Sequence, residues 1–202
     1  MTQAPQHLKP TLFYHIYNHG NAGDSIFYTD DNYIYFLNKF KEYITPIADT
    51  YAYCLMPNHF HFLIQIRSEQ ELRAFFKVDA ECDLSNKLSH QIGTFQNCYT
   101  KSINSVFKRK GALFMQSFGR KEVKNINYFS KLVHYIHYNP THHGFTEKWQ
   151  DWKYSSYTIM LSDDTTLLER EYLHQWFGGK EALADFHTGN IDGNLVDLME
   201  NF

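Results

Sequence analysis

The alternation His59-Phe60-His61-Phe62, which directly follows the turn signal Pro57-Asn58, constrains the fold of this chain most strongly. Alternate residues of a β-strand point to opposite faces of a sheet. The two histidines therefore share one face, and the two phenylalanines share the other, which we expect to pack into a core. Because residues 47–56 before the turn are mostly apolar, the pattern predicts a β-hairpin of segments 47–56 and 59–66.

The remaining segments predict an α+β fold. Residues 11–18 are rich in aromatic and branched side chains and predict a strand, whereas 112–124 predicts a loop or an edge strand. This order favours an antiparallel sheet with helices packed on one face, a ferredoxin-like sandwich. Helices are predicted over 30–44, from Ser68 and over 83–108. Another helix is predicted from Asn125 or Asn127 through Tyr138, with Asn139-Pro140 ending it, and further helices at each end of 166–188 around Gly178-Gly179. The last dozen residues are expected to fray.

Composition and cysteine usage favour a reduced intracellular protein. The chain has 202 residues, of which 43% are hydrophobic and 17% aromatic, enough for the core of one domain. Its three cysteines, Cys54, Cys82 and Cys98, form no CxxC pair. No apolar run approaches the ~20 residues of a membrane span, and the N-terminus lacks the pattern of a signal peptide. We therefore expect a soluble, cytoplasmic protein without a membrane partner.

Charge is distributed unevenly along the chain, although the net charge is only -3. Residues 101–124 contain seven Lys or Arg against Glu122, and residues 161–202 contain nine Asp or Glu against Arg170 and Lys180. The local field, rather than the total charge, attracts a polyanion, so the basic segment could bind phosphate. The alternative is that both segments are solvated helix faces.

His59 and His61 could form half of a divalent metal site, because two neighbouring imidazoles are common ligands of such ions. The alternative is that an exposed strand face carries two of the 12 histidines by chance. Cys54 could add a thiolate ligand for zinc, but the turn separates it from the pair. A buried structural cysteine is the simpler interpretation.

Tyr135 and Asn139 are four residues apart and share one face of the predicted helix. A tyrosine presented in this way could attack a phosphate, although its phenol, with a pKa of about 10, needs help from a metal or a base. Asn139 could supply an oxygen ligand to the same metal. The alternative is that Tyr135 is a packing residue and Asn139 a helix cap.

Together these motifs resemble the single-tyrosine HUH transposases, and in particular the REP-associated tyrosine transposases. Residues 56–64, Met-Pro-Asn-His-Phe-His-Phe-Leu-Ile, are similar to the HUH strand, and Tyr135–Pro140 followed by His143-Gly144-Phe145 is similar to the nucleophile helix and its exit. Segments 14–18, 104–114 and 152–157 also resemble family segments, so the resemblance covers roughly residues 11–160. The segment after Leu113-Phe114 and the end of the first strand, Asn18-His19-Gly20, depart from the family pattern.

The resemblance implies an HUH endonuclease sandwich over residues 1–160, with His59 and His61 as metal ligands, Tyr135 as nucleophile and Asn139 as third ligand. It further implies cleavage and rejoining of single-stranded DNA through a 5′-phosphotyrosine, assisted by Mg²⁺ or Mn²⁺. The two nitrogen ligands leave Mn²⁺ or even Zn²⁺ open.

Residues 161–202 are expected to form an acidic helical extension. We expect single-stranded or hairpin DNA as partner, and the resemblance to the REP-associated branch favours a monomer. Six basic residues are the candidates for DNA contact, namely Lys108, Arg109, Lys110, Arg120, Lys121 and Lys124.

Three other functions stay open at this point. A domesticated HUH nuclease would share the same site residues. A non-catalytic sheet module that binds nucleic acid predicts aromatic and basic side chains on its central strands, whereas residues 59–66 contain two histidines and no lysine. A metal-dependent hydrolase that uses water would need a carboxylate close to the histidines, and none is adjacent in sequence.

Overall fold

The computed structural model describes residues 6–115 and 117–189 and contains a four-stranded antiparallel sheet with the strand order β2-β3-β1-β4. The predicted α+β antiparallel sheet is therefore confirmed. The predicted fraying of the last dozen residues lies outside the described residues. The strands are β1 (Phe13–His19), β2 (Ala48–Met56), β3 (His59–Ile66) and β4 (Gly119–Glu122), and the helices are α1 (Asp30–Tyr43), α2 (Glu69–Phe76), α3 (Leu84–Val106), α4 (Ile126–His142), α5 (Tyr157–Leu161), α6 (Arg170–Phe177) and α7 (Lys180–Phe186).

The predicted hairpin is formed by β2 and β3, and it places β3 in the interior of the sheet. Met56 pairs with His59 across the turn, and β1 pairs with the other side of β3. Strand β4, which falls in the segment predicted to be a loop or an edge strand, pairs with β1 and lies at the edge of the sheet. The histidine-bearing strand is thus held by a neighbour on each side.

Helices cover both faces of the sheet, so the expectation of helices on one face alone was wrong. On one face α1 packs against the phenylalanines of β3, with the rings of Phe40 and Phe62 4.1 Å apart. On the other face α4 contributes Leu132 and Ile136 to a separate core with Leu63 of β3. The physical reason is that α4 has its own apolar side, which requires an apolar partner.

Helix α4 begins as predicted and ends later than predicted. The Asn125 side chain accepts a hydrogen bond from the Tyr128 backbone N–H at 2.8 Å, which caps the helix start. The expected end at Asn139-Pro140 was wrong, since the helix continues to His142. A proline this close to a helix C-terminus removes only one internal hydrogen bond, and the next turn still forms, with the His143 N–H donating to the Asn139 carbonyl at 3.0 Å.

The segment after residue 160 packs on the face of the sheet that α4 covers. Leu173 of α6 and Leu183 of α7 are fully buried in the same core as Leu132. Gly178 separates the two helices with φ of +90°, a left-handed conformation that favours glycine. The boundary at residue 160 stays a prediction. None of the helices in the described ranges is long and apolar enough to cross a membrane.

Candidate active site

The two histidines of β3 lie side by side beneath α4. Their ring centroids are 5.3 Å apart, and the ring planes are nearly perpendicular. His59 is 2% exposed and His61 is fully buried. The alternation therefore placed the pair on one face as predicted. From their position at the start of a strand, just after a turn, the histidines would be expected to be reachable from solvent, and this expectation was wrong because α4 and the segment after it cover this face.

Helix α4 brings Tyr135 and Asn139 to the same place. The Tyr135 ring centroid is 5.6 Å from that of His61, and Asn139 follows one helical turn later beside His59. Tyr135 is 1% exposed and Asn139 is fully buried. The structure thus brings together all four residues predicted for the centre of the site.

The Asn58 side chain fixes which nitrogen of His59 is available. The Nδ1 of His59 lies 2.7 Å from the side-chain oxygen of Asn58, which can only accept, so the Nδ1–H donates. The Nε2 of His59 then keeps its lone pair. A hydrogen bond from the ring nitrogen that does not bind the metal orients the imidazole of a metal-binding histidine. In the sequence, Asn58 stands out only as part of the turn signal, so this role could not be predicted.

His15 is a second residue that the sequence analysis missed. Its Nε2 lies 2.8 Å from the Nδ1 of His61, and both side chains are fully buried. Either ring can donate this hydrogen bond, and only the arrangement in which His61 donates leaves the Nε2 of His61 with a free lone pair. The available signal was the alternation of His15, Tyr17 and His19 in the first strand, which matches the period of the pair in β3.

Burial keeps these imidazoles neutral. It lowers the pKa of His59 to about 2, with smaller contributions in the same direction from His143 and His19. It also lowers the pKa of His61 well below its usual value, and it lowers that of His15 to about 3, with help from the charge of Lys121. Metal binding requires neutral imidazole, so the cluster is in the correct protonation state.

Three atoms of this cluster fit a divalent metal. The Nε2 atoms of His59 and His61 and the Oδ1 of Asn139 are buried and have no hydrogen bond of good geometry to any part of the chain that the structure describes. The Asn139 side chain is nevertheless close enough to the His59 imidazole to raise its pKa, against the larger effect of burial. The Nδ2 of Asn139 donates to the Tyr135 carbonyl at 2.9 Å, which leaves its oxygen as the free acceptor. Within residues 6–115 and 117–189, no group of three or more His, Cys, Asp or Glu side chains could hold a metal ion. Among these residues the Asn139 amide oxygen is therefore the candidate for a third ligand.

Cys54 fits the buried structural interpretation. It lies opposite His61 in the sheet and is fully buried. Burial raises the pKa of its thiol well above the usual value. Its complete burial agrees with a structural role.

The six basic candidates do not gather into one cluster. Arg109 forms an ion pair with Asp24 at 2.6 Å, while Lys108, Lys110 and Lys124 are exposed. On β4, Arg120 contacts α3 through Ser89, whereas the Lys121 ammonium lies 5.4 Å from the ring of Tyr128 on α4. Their role in DNA contact stays a prediction.

The sheet carries two alternate histidines beneath a helix-borne tyrosine, as the resemblance to the HUH tyrosine transposases implied. No protein-family model matches the chain. A Haemophilus influenzae protein named as a REP-associated tyrosine transposase is 25% identical over 127 residues, which span 60% of this chain and 69% of that protein. This match supports the HUH tyrosine transposase family, and the prediction of that family is confirmed.

A solved structure has the same fold. It is the structure of a REP-associated tyrosine transposase bound to a REP hairpin, with a TM-score of 0.58 and 14% sequence identity, over 81% of this chain and 87% of that chain. At this identity the likeness concerns the fold alone.

Proposed function

We propose that this chain cleaves and rejoins single-stranded DNA through a covalent 5′-phosphotyrosine on Tyr135. The observation that carries the proposal is the contact of Tyr135 with His61 in a buried cluster whose other free atoms suit a metal. The relative and the structural neighbour add support, since both are named as REP-associated tyrosine transposases. We further propose that the DNA bears a hairpin and that the protein acts as a monomer in the cytoplasm.

The chemistry assigns one role to each residue. His59, His61 and Asn139 would hold Mg²⁺ or Mn²⁺, which polarises a phosphate when bound. The Tyr135 oxygen attacks the phosphorus and loses its proton, while the bond from phosphorus to the 3′ oxygen breaks and the leaving oxygen gains a proton. The 3′ hydroxyl can later attack the phosphotyrosine in reverse. Because the covalent link retains the phosphoester, rejoining needs no other energy source.

Access to this site requires that the residues covering it move. The rings of His143 and Phe145 lie 4.6 Å and 6.3 Å from that of His59. Tyr135 is 1% exposed, so a phosphate can reach its hydroxyl only after covering residues move aside. The proposal therefore includes movement of the residues that cover His59 and Tyr135 when DNA binds.

The water-using hydrolase is less well supported. Such an enzyme needs a carboxylate that acts as a base next to the metal. The titratable neighbours that shift the pKa of His59 and His61 are all histidines, with no Asp or Glu contributing from the described residues. The ring centroid of Tyr135 lies 5.6 Å from that of His61, so the pair has a tyrosine beside it.

Cleavage of labelled hairpin-bearing single-stranded DNA with Mn²⁺ tests the proposal. Wild type should form a covalent protein–DNA adduct, and Tyr135→Phe should form none. Tyr138→Phe, on the same helix and half-buried, is the matched control and should retain the adduct. Equal cleavage by wild type and Tyr135→Phe without an adduct would contradict the proposal and favour a water-using nuclease. DNA binding without cleavage by wild type would favour a binding module.

A further inference from the structure

Lys121 of the edge strand β4 lies on the face of the sheet that carries the candidate site. Residues directly opposite each other in an antiparallel pair share one face, and Lys121 is paired with His15 of β1. The adjacent residues Arg120 and Glu122 point to the other face, where Arg120 contacts α3. Of the three charged residues of β4, Lys121 is therefore the one on the same face as the candidate site.

The ammonium of Lys121 is held beside the first turn of α4. It lies 5.4 Å from the ring centroid of Tyr128, which is within the range of a cation–π contact. Its charge also acts on His15, whose pKa it lowers in addition to the larger effect of burial. Burial raises the pKa of Tyr128 to about 12, so neither of these two rings carries a charge that would cancel that of the ammonium at neutral pH.

Lys121 is partly reachable from solvent, whereas Tyr135 is not. Lys121 and Tyr17 of the neighbouring strand are both half-buried. Tyr17 is paired with Gly119, and its ring lies over this glycine, where a Cβ would overlap the ring. Tyr17 and Lys121 therefore follow each other along the edge of this face, where a ligand can contact them from solvent.

The ammonium of Lys121 and the hydroxyl of Tyr135 belong to separate positions along α4. Tyr128, which the ammonium contacts, precedes Tyr135 by seven residues, which corresponds to roughly 10 Å along the helix axis. His15, which is paired with Lys121, has its ring centroid 6.2 Å from that of Tyr135. This separation exceeds the size of one phosphate group, so a phosphate at Tyr135 leaves Lys121 available to another phosphate of the same strand.

We propose that Lys121 binds one backbone phosphate of the single strand, next to the phosphate that Tyr135 attacks. The inference rests on the proposed function, since it takes single-stranded DNA as the ligand. A lysine ammonium is a compact charge that contacts phosphate oxygens whatever the base sequence. The contact would therefore position the strand for attack without reading a base.

A double-mutant cycle between the protein and the DNA tests this inference. Neutral methylphosphonate linkages replace one phosphate at a time along the hairpin-bearing single strand, and fluorescence anisotropy gives each Kd. The proteins carry Tyr135→Phe, so that binding is measured without cleavage, and the adduct formed by wild type locates the scissile phosphate. With Lys121 present, a methylphosphonate at one linkage beside the scissile phosphate should weaken binding by about tenfold.

Variants of Lys121 assign this effect to its charge. In Lys121→Met the same methylphosphonate should cost no further affinity, and the slope of log Kd against log salt should fall by about 1. Lys121→Arg keeps the charge and should retain the effect. Lys87→Met, at an exposed lysine of α3 on the other face of the sheet, is the matched control and should also retain it. The thermal unfolding temperature should be maintained in all three variants, since neither lysine is fully buried.

The outcomes separate this inference from the proposed function. If wild type forms the adduct but Lys121→Met stays as sensitive as its parent to methylphosphonate at every linkage, the inference alone is overturned. Coupling at the scissile phosphate itself, or only at a linkage remote from it, would also overturn it. Absence of the adduct in wild type, with coupling at one linkage, would contradict the proposed function and support the phosphate contact. With neither adduct nor coupling, both would fail.

Discussion

The side chains around His61 show how a single hydrogen bond can decide whether an imidazole binds a metal. The Nε2 of His15 and the Nδ1 of His61 lie 2.8 Å apart, and one of the two nitrogens carries the hydrogen of the bond between them. In each of the two arrangements, one buried N–H has no acceptor, because the Nδ1 of His15 and the Nε2 of His61 both lack partners in the described residues. A cation at the Nε2 of His61 would favour the arrangement in which His61 donates to His15.

Replacement of His15 tests this positioning role. We expect His15→Leu to weaken Mn²⁺ binding by about 10- to 100-fold, the usual cost of removing a partner of a metal ligand. His15→Gln should weaken it less, since its side-chain oxygen can accept the Nδ1–H of His61. Isothermal titration calorimetry measures the affinity without DNA. Equal Mn²⁺ affinity in wild type and His15→Leu would contradict the role.

The central residues of the site could be predicted from the sequence because they depend on local periods. A spacing of two brings His59 and His61 together on a strand, and a spacing of four brings Tyr135 and Asn139 together on a helix. The contribution of His15 could not be predicted in this way. It depends on the register of β1 against β3, which joins residues 46 positions apart.

At the scale of elements, a buried hydrogen-bond network joins β2, α4 and the end of α7. Ser156 accepts from the Tyr53 backbone N–H at 2.8 Å and lies 2.7 Å from the Nε2 of His137. The Nδ1 of His137 lies 2.8 Å from the Nε2 of His187, whose Nδ1–H donates to the Leu183 carbonyl at 2.7 Å. The carbonyl can only accept, so His187 accepts from His137, and His137 accepts from Ser156.

Replacement of a residue in this hydrogen-bond network should destabilise the protein. Ser156→Ala leaves the buried Nε2 of His137 without a donor and the backbone N–H of Tyr53 without an acceptor. His187→Ala leaves the Nδ1–H of His137 without an acceptor. We expect each to lower the free energy of unfolding by about 1–3 kcal/mol, measured by urea denaturation. Thr188→Ala, at an exposed neighbour, is the control and should cost under about 0.5 kcal/mol. Unchanged stability in Ser156→Ala would contradict the structural role.

The helices show what sequence patterns resolve at this scale. The start of α4 was predictable because Asn125 is a good cap, and the hairpin was predictable from its turn. The continuation of α4 through Pro140 could not be predicted in this way. One hydrogen bond lost near a helix end is outweighed by the packing of the last turn. The placement of helices on both faces depends on contacts between distant segments, which periodicity does not reveal.

For the whole molecule, buried neutral histidines make stability depend on pH. Burial lowers the pKa of His134 and of His187 to about 4, whereas in the unfolded chain we expect about 6.5. As pH falls from about 6.5 towards about 4, the unfolded state binds protons that the folded state does not. The stability that neutral burial contributes is therefore complete above about pH 6.5 and is progressively lost below it.

Thermal unfolding across this range checks the effect. We expect the unfolding temperature of wild type to fall between about pH 7 and pH 4.5, and His134→Leu to show a shallower fall, since it removes one of the titrating groups. A curve for His134→Leu that is as steep as that of wild type would show that His134 does not contribute.

The sheet has one face under α4, which carries the candidate site, and a second face under α1 and α3. The α+β class could be predicted from the order of elements, and the histidine-bearing strand could be placed within it. The presence of helices on both faces of the sheet could not be predicted. It arises because α4 has an apolar side and because β3 is buried on both faces. The burial of Tyr135 and the separation of Arg120 from Lys121 both follow from this division.

The identity of the nucleophile is the central claim, and peptide mapping of the covalent adduct tests it most directly. Wild-type protein would be incubated with hairpin-bearing single-stranded DNA and Mn²⁺, digested with nuclease and protease, and analysed by mass spectrometry. We expect the nucleotide mass on Tyr135 and on no other of the 15 tyrosines. An adduct on a different residue, or cleaved DNA with no adduct on any peptide, would contradict the claim.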